Sequence, residues 1–168
     1  MPLYFAYGSN LNAAAMSRRC PSSRLIGPAR LARHRFTITR DGYASVVRDP
    51  RREVRGLLYD LALADLPALD RYEGVAGGLY AKITQPVIAE SGVRRALIYV
   101  GRGSEAGRPR PGYMEEVVAA ARAAGFPDAY LRELSAFLPS RHTAQPADAR
   151  PAVTPRFASP LARSPHRS

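Results

Sequence analysis

Leu3-Tyr4-Phe5-Ala6-Tyr7-Gly8-Ser9-Asn10-Leu11 runs from an apolar, aromatic stretch straight into a glycine. So short a run, ended by Gly8-Ser9-Asn10, reads as a buried first strand and not as a helix. A short helix is expected next, from about Asn12 to Arg19, with Asn10 or Asn12 as its N-cap and Cys20-Pro21 as its stop. A strand that feeds a helix through small residues leaves several amide N–H groups without an internal partner. Gly8 allows close backbone approach, and the positive end of the helix dipole adds to the field. Such a loop suits a carboxylate or a developing oxyanion. A plain strand-to-helix turn would use the same residues. The spacing and the lysine of a Walker loop are missing.

Outward from this opening the chain alternates strands and turns before its helices. Leu25–Leu31 and Arg35–Thr39 resemble two strand segments, the first interrupted by Pro28, which suits an edge or a bend. Asp41-Gly42 is a turn signal, Ala44–Arg48 a further strand, and Val54–Tyr59 another after Asp49-Pro50. Asp65 to Tyr72 reads as a helix with Asp65 as cap and Pro67 in the first turn. Gly74, Gly77 and Gly78 end it. Leu79–Ala89 and Arg94–Val100 pair around Ser91-Gly92, and Gly101–Gly112 forms a loop. Met114, Val117, Val118 and Ala121 follow helical spacing, as do Tyr130, Leu131, Leu134 and Phe137. Crossover helices are too few for a doubly wound parallel sheet. The order predicts an α+β domain over residues 1–138, with a mostly antiparallel, strongly curved sheet or small barrel. From Pro139 to Ser168 apolar periodicity gives way to proline, arginine, serine and alanine, which predicts a disordered tail.

With 168 residues the chain has room for one domain with a real core. No apolar run approaches the roughly 20 residues of a membrane span, and the first residues lack the pattern of a signal peptide. One cysteine, Cys20, excludes an internal disulfide framework. A soluble, cytoplasmic location is expected. The net charge of +11 raises the question of nucleic acid, but the arginines are spread along the chain and form no basic stripe. The composition therefore argues against a nucleic-acid partner.

Glu73 stands out among the ionisable residues. In helical geometry it follows Leu66 and Leu69 on the apolar stripe, at the end of the helix where the dipole opposes negative charge. Both effects raise a carboxyl pKa, as a general base working near neutrality requires. A last-turn glutamate that bends to solvent, or pairs with Arg71 or another arginine, is the alternative. Asp70, one turn back, reads as a surface charge. His34, His142 and His166 have no metal-ligand spacing, and no metal or cofactor is signalled. Tyr80 and Tyr113 follow glycine-containing loops, where a tyrosine either packs or presents its hydroxyl to a ligand.

Together these segments resemble the γ-glutamylcyclotransferase family, including its AIG2-like members. Tyr4-Phe5-Ala6-Tyr7-Gly8-Ser9-Asn10-Leu11 is similar to the family's opening strand and loop. Leu69-Asp70-Arg71-Tyr72-Glu73-Gly74-Val75, followed by Gly78-Leu79-Tyr80, resembles the block that carries the catalytic glutamate. Val54–Tyr59 falls at the strand before that helix, and Pro111-Gly112-Tyr113 and Gly125-Phe126-Pro127 match the closing helices. The resemblance implies a small, mostly antiparallel β-barrel flanked by helices, without a cofactor. It implies a small-molecule γ-glutamyl substrate, cyclised to 5-oxoproline with release of an amine. It makes Glu73 the acid/base, lines the substrate site with Tyr4, Phe5, Ala6, Tyr7, Gly8 and Ser9 through their backbone and with Asn10, and gives Tyr80 and Tyr113 substrate-contacting hydroxyls. The Gly101–Gly112 loop is expected on the leaving-group side, where its arginines would favour an anionic group. Removal of a γ-glutamyl protecting group from a small metabolite, or a non-catalytic basic binding module, are the rival functions.

Overall fold

A computed structural model describes residues 1–103 and 106–140. The expected tail lies, from residue 141 on, outside the described residues. Five strands close into a barrel in the order β1-β3-β2-β4-β5. They are β1 (Leu3–Ala6), β2 (Arg24–Ile38), β3 (Ala44–Asp60), β4 (Tyr80–Ala89) and β5 (Gly92–Gly101). All neighbours are antiparallel except β1 and β5, which run parallel and meet at Tyr4 and Leu97. Four helices accompany them: α1 (Ala13–Arg19), α2 (Leu66–Tyr72), α3 (Tyr113–Ala123) and α4 (Asp128–Ser135). The small, mostly antiparallel barrel predicted from the sequence is the fold observed. No helix among the described residues is long and apolar enough to cross a membrane.

The first strand is buried on both faces, with Tyr4, Phe5 and Ala6 all at or below 3% exposure. Its partner β3 accepts it so closely that Gly56 is obligatory. A Cβ there would lie 2.4 Å from the Ala6 carbonyl oxygen and 2.6 Å from the Phe5 ring, closer than any side chain can sit. Met114, Val117, Val118 and Ala121 of α3, and Tyr130, Leu131 and Leu134 of α4, are buried as their spacing predicts, and join one continuous core.

Two expectations are corrected. Leu25–Leu31 and Arg35–Thr39, apart from Thr39 itself, belong to a single strand, β2, and Ala44–Arg48 and Val54–Tyr59 belong to a single β3. The sequence breaks are bulges. The ladder passes from Ala32–Glu53 directly to His34–Arg48. Arg33 takes the left-handed conformation at φ 59°, while Asp49 to Arg52 bow out unpaired. Pro50 sits in that bow, where its missing N–H forfeits no ladder bond. The Asp41-Gly42 turn is as expected: Gly42 adopts φ 88° and its amide donates to the Thr39 carbonyl at 2.9 Å.

Candidate active site

After Ala6 the chain leaves β1 and enters a single 3-10 turn, Ser9–Leu11, before Asn12 caps α1 by accepting the Ala15 amide at 3.0 Å. Gly8 is the hinge of this passage. A Cβ on it would approach the Ala44 Cβ to 3.0 Å and the Tyr113 hydroxyl to 3.1 Å. The Ala44 amide donates to that same hydroxyl at 3.1 Å, and the Ser9 amide faces it. Burial pushes the Tyr113 hydroxyl up to about 12, so at neutral pH it stays protonated. Tyr80, still more strongly raised by burial, donates to the Ala44 carbonyl at 2.5 Å. The start of β3 is thereby clamped between two tyrosines contributed by β4 and α3.

Asn10 enters with its side chain, not only its backbone. It is 2% exposed, and its amide nitrogen donates both to the Tyr4 hydroxyl at 2.8 Å and to a Glu73 carboxylate oxygen at 3.0 Å. Its oxygen accepts from the Arg19 guanidinium. Three partners fix the orientation of the amide, leaving both N–H groups committed. Arg19, at the last position of α1, lies with its guanidinium 3.3 Å from the centre of the Tyr72 ring, a cation–π contact. The Tyr72 hydroxyl in turn bonds the Ser9 hydroxyl at 2.8 Å.

Glu73 closes α2 as its C-cap, its amide bonded to the Leu69 carbonyl at 3.0 Å. Its carboxyl turns towards the Gly8 turn, as the bond to Asn10 records. Burial pushes its pKa up to about 7, against the pull of the Arg19 charge. Desolvation is the dominant cause; the guanidinium partly offsets it. The result is a carboxyl group that gains and loses a proton near neutrality.

A cleft lined by Tyr4, Tyr7, Gly8, Ser9, Asn10, Ala44, Glu73, Tyr80, Tyr99 and Tyr113 brings most of the expected residues together. Phe5 and Ala6 are not among them. Phe5 is wholly buried against Gly56, and the Ala6 carbonyl meets the same residue, so the side chains of both pack in the barrel core. Alternation along β1 explains this for Phe5, whose neighbours Tyr4 and Ala6 point the other way. An outer cavity of about 170 Å³ continues the cleft past Ser9, Glu73, Tyr80 and Tyr113 to Tyr43, Tyr72 and Leu79.

Sequence reasoning missed Arg19, Tyr43, Ala44, Tyr72 and Tyr99. Tyr72 and Tyr43 had a signal, since one precedes Glu73 and the other follows the Asp41-Gly42 turn. Arg19 and Tyr99 had none, because only the closed barrel brings them to the site. Asp70, expected as a surface charge, is half-buried. It accepts from the Tyr99 hydroxyl at 2.5 Å and from Lys82 at 2.8 Å. Burial would raise its pKa, but the bonds from Lys82 and Tyr99 outweigh that and hold it below the usual range. The Tyr99 carbonyl accepts the Tyr7 hydroxyl. Asp70 thus anchors a tyrosine that lines the cleft.

The described part of the expected leaving-group loop packs beside the outer cavity, on Tyr43, without lining it. Arg110 donates to the Asp41 carbonyl at 2.9 Å and sits 4.8 Å from the Tyr43 ring, and the Gly107 amide bonds Ile38. The loop is laid along the β2–β3 hairpin, and none of its described residues from 101 to 112 lines the cleft or the outer cavity. A roomier groove of about 680 Å³ lies elsewhere, between the start of α1, the start of β2 and α3. Its lining is almost wholly apolar, with Glu116 its one ionisable residue. Size alone does not make it the reactive site. Among the described residues no group of three or more His, Cys, Asp or Glu could hold a metal ion.

A family model described as the AIG2-like family matches residues 53–134. Human γ-glutamylcyclotransferase is 30% identical over 152 residues, which cover 84% of this chain and 81% of the human one. The mouse γ-glutamylcyclotransferase is 28% identical over 157 residues, covering 87% and 84%. A solved γ-glutamyl cyclotransferase structure superposes with a TM-score of 0.76 at 28% identity, over 86% of this chain and 92% of that one.

Proposed function

The chain belongs to the γ-glutamylcyclotransferase family, and on that premise we propose that it cyclises γ-glutamyl compounds to 5-oxoproline with Glu73 as the acid/base. A γ-glutamyl compound carries its own nucleophile, the α-amine, a few bonds from the γ-carbonyl carbon. The protein has to fold the substrate into a five-membered near-attack geometry, which by proximity alone is worth several kcal/mol. The Glu73 carboxylate takes a proton from the α-ammonium. The freed nitrogen bonds to the γ-carbon, and the negative charge moves to the γ-oxygen. Collapse of this intermediate breaks the bond to the leaving nitrogen, which receives that proton from the Glu73 carboxylic acid, while the ring nitrogen gives its second proton to the regenerated carboxylate, from which it leaves with the amine as the ammonium form. Amides of the Gly8–Asn10 turn hold a substrate oxygen, either of the γ-carbonyl or of the α-carboxylate.

The observation that carries this reading is the partly buried Glu73 carboxyl, poised near neutrality and held 3.0 Å from Asn10 in the turn itself. The tyrosine hydroxyls around it are raised by burial. They serve as hydrogen-bond donors and leave the proton transfer to the carboxyl. The lone buried thiol of Cys20 suits a reducing, cytoplasmic setting for this chemistry. The test is incubation with γ-glutamyl-alanine and chromatographic detection of 5-oxoproline. Glu73→Gln keeps the shape and removes the proton acceptor, and should lower the rate by roughly 10³-fold. A variant that releases 5-oxoproline at the wild-type rate would refute the assignment.

A further inference from the structure

Given the reaction proposed above, the outer cavity lies where the leaving amine must go. It shares Ser9, Glu73, Tyr80 and Tyr113 with the cleft and extends away from the Gly8 turn. Its remaining walls are Tyr43, Tyr72 and Leu79. The hydroxyls of its tyrosines are largely engaged: Tyr72 with Ser9 at 2.8 Å, Tyr80 with the Ala44 carbonyl at 2.5 Å, and Tyr113 with the Ala44 amide at 3.1 Å. What these residues offer is ring surface. Tyr43 and Tyr113 already meet edge to face at 5.5 Å, the arrangement that another aromatic ring extends.

Among the described residues, no arginine or lysine lines this cavity. The nearby cations, Arg19 and Arg110, are each stacked on one of its tyrosines and bonded to Asn10 and to Asp41 respectively. A carboxylate placed here would find no cation among the described lining residues, the two nearest being committed to rings and to other partners. The volume of about 170 Å³ suits a single six-membered ring, since an apolar protein cavity of about 150 Å³ holds benzene.

We propose that the outer cavity is a leaving-group subsite selective for γ-glutamyl amides of amines that carry an aromatic ring and no carboxylate, with Tyr72 and Leu79 as its specificity-determining residues. The ring lies among Tyr43, Tyr72 and Leu79, and the scissile amide nitrogen stays within reach of Glu73.

The test measures 5-oxoproline release by the full chain from γ-glutamyl-phenethylamide, γ-glutamyl-phenylalanine, γ-glutamyl-alanine and γ-glutamyl-aspartate. The expected order of kcat/KM follows that sequence, with the phenethylamide roughly tenfold above the alanine compound. Tyr72→Ala and Leu79→Ala should each lower the ratio of phenethylamide to alanine about fivefold or more. General damage to the fold would instead lower both substrates together and leave the ratio standing, which would count against the subsite. A wild-type ratio near or below one, or γ-glutamyl-aspartate as the best substrate, overturns the proposal while the cyclisation itself stands. Failure of every γ-glutamyl compound to yield 5-oxoproline overturns the reaction, and the subsite with it.

Discussion

Tyr72 and Glu73 are adjacent in the chain and belong to opposite environments. Glu73 faces a cleft in which Tyr4, Tyr7 and Asn10 are 3%, 6% and 2% exposed, whereas Tyr72 is 45% exposed and borders the outer cavity. In the cleft the polar groups are tied to partners far away in sequence, Asn10 to Glu73 and Tyr7 to Tyr99. In the outer cavity the walls are rings with room between them. A largely buried, hydrogen-bonded cleft can hold a carboxyl near neutrality, because both burial and geometry are fixed by the barrel. A half-exposed aromatic rim tolerates change and can be tuned for the group it admits. On the proposed reading, the end of one short helix therefore separates proton transfer from selectivity.

If this division is right, substitutions in the cleft should cost far more than those on the rim. Gly8→Ala forces a methyl against Ala44 and the Tyr113 hydroxyl, and should lower kcat/KM by about a hundredfold by displacing the turn. A loss of less than about threefold would mean that the turn does not grip the substrate. Arg19→Met removes the charge that pulls the Glu73 pKa down. The carboxyl should then titrate above its wild-type value, so activity falls severalfold at pH 6.5 and recovers by pH 8.5.

Glu73→Gln should also reveal the strain of the cleft in stability. The folded pKa of about 7 lies above the ordinary 4.5, so the folded state binds more protons between those values and loses stability as pH rises through them. Glutamine escapes this loss. At pH 8 the variant should be more stable than wild type by on the order of 2 kcal/mol, raising Tm by several degrees, and at pH 4 the difference should vanish. Thermal unfolding followed by circular dichroism at both pH values reads it. The smallest effect is expected on the rim: Tyr72→Phe keeps the ring and loses only the exposed bond to Ser9, so kcat/KM should fall by about threefold or less.

The sequence made the barrel legible because each strand carries its own signal: aromatic Leu3–Tyr7, the Asp41-Gly42 turn, and the apolar periods of α3 and α4. It misled where a bulge imitates a break. Asp49-Pro50 looks like a strand end locally, and the gap left between Leu31 and Arg35 coincides with the left-handed Arg33, yet long β2 and β3 run through both because the flanking ladder bonds persist. Within the site, Glu73, Gly8, Tyr80 and Tyr113 could be named from local pattern and family resemblance. Arg19 and Tyr99 could not, since a terminal helix arginine and a strand tyrosine become site residues only when the barrel closes. The side-chain role of Asn10 was hidden for the same reason: its partner Glu73 lies sixty-three positions away.

The most direct test is the pH dependence of kcat/KM for 5-oxoproline release by the wild-type chain. A carboxyl of pKa about 7 acting as base predicts a limb that rises through neutrality and levels off above it, and that disappears in Glu73→Gln along with nearly all the activity. A profile already flat from pH 5 upward, or the same limb retained in the variant, would show that this carboxyl does not carry the proton.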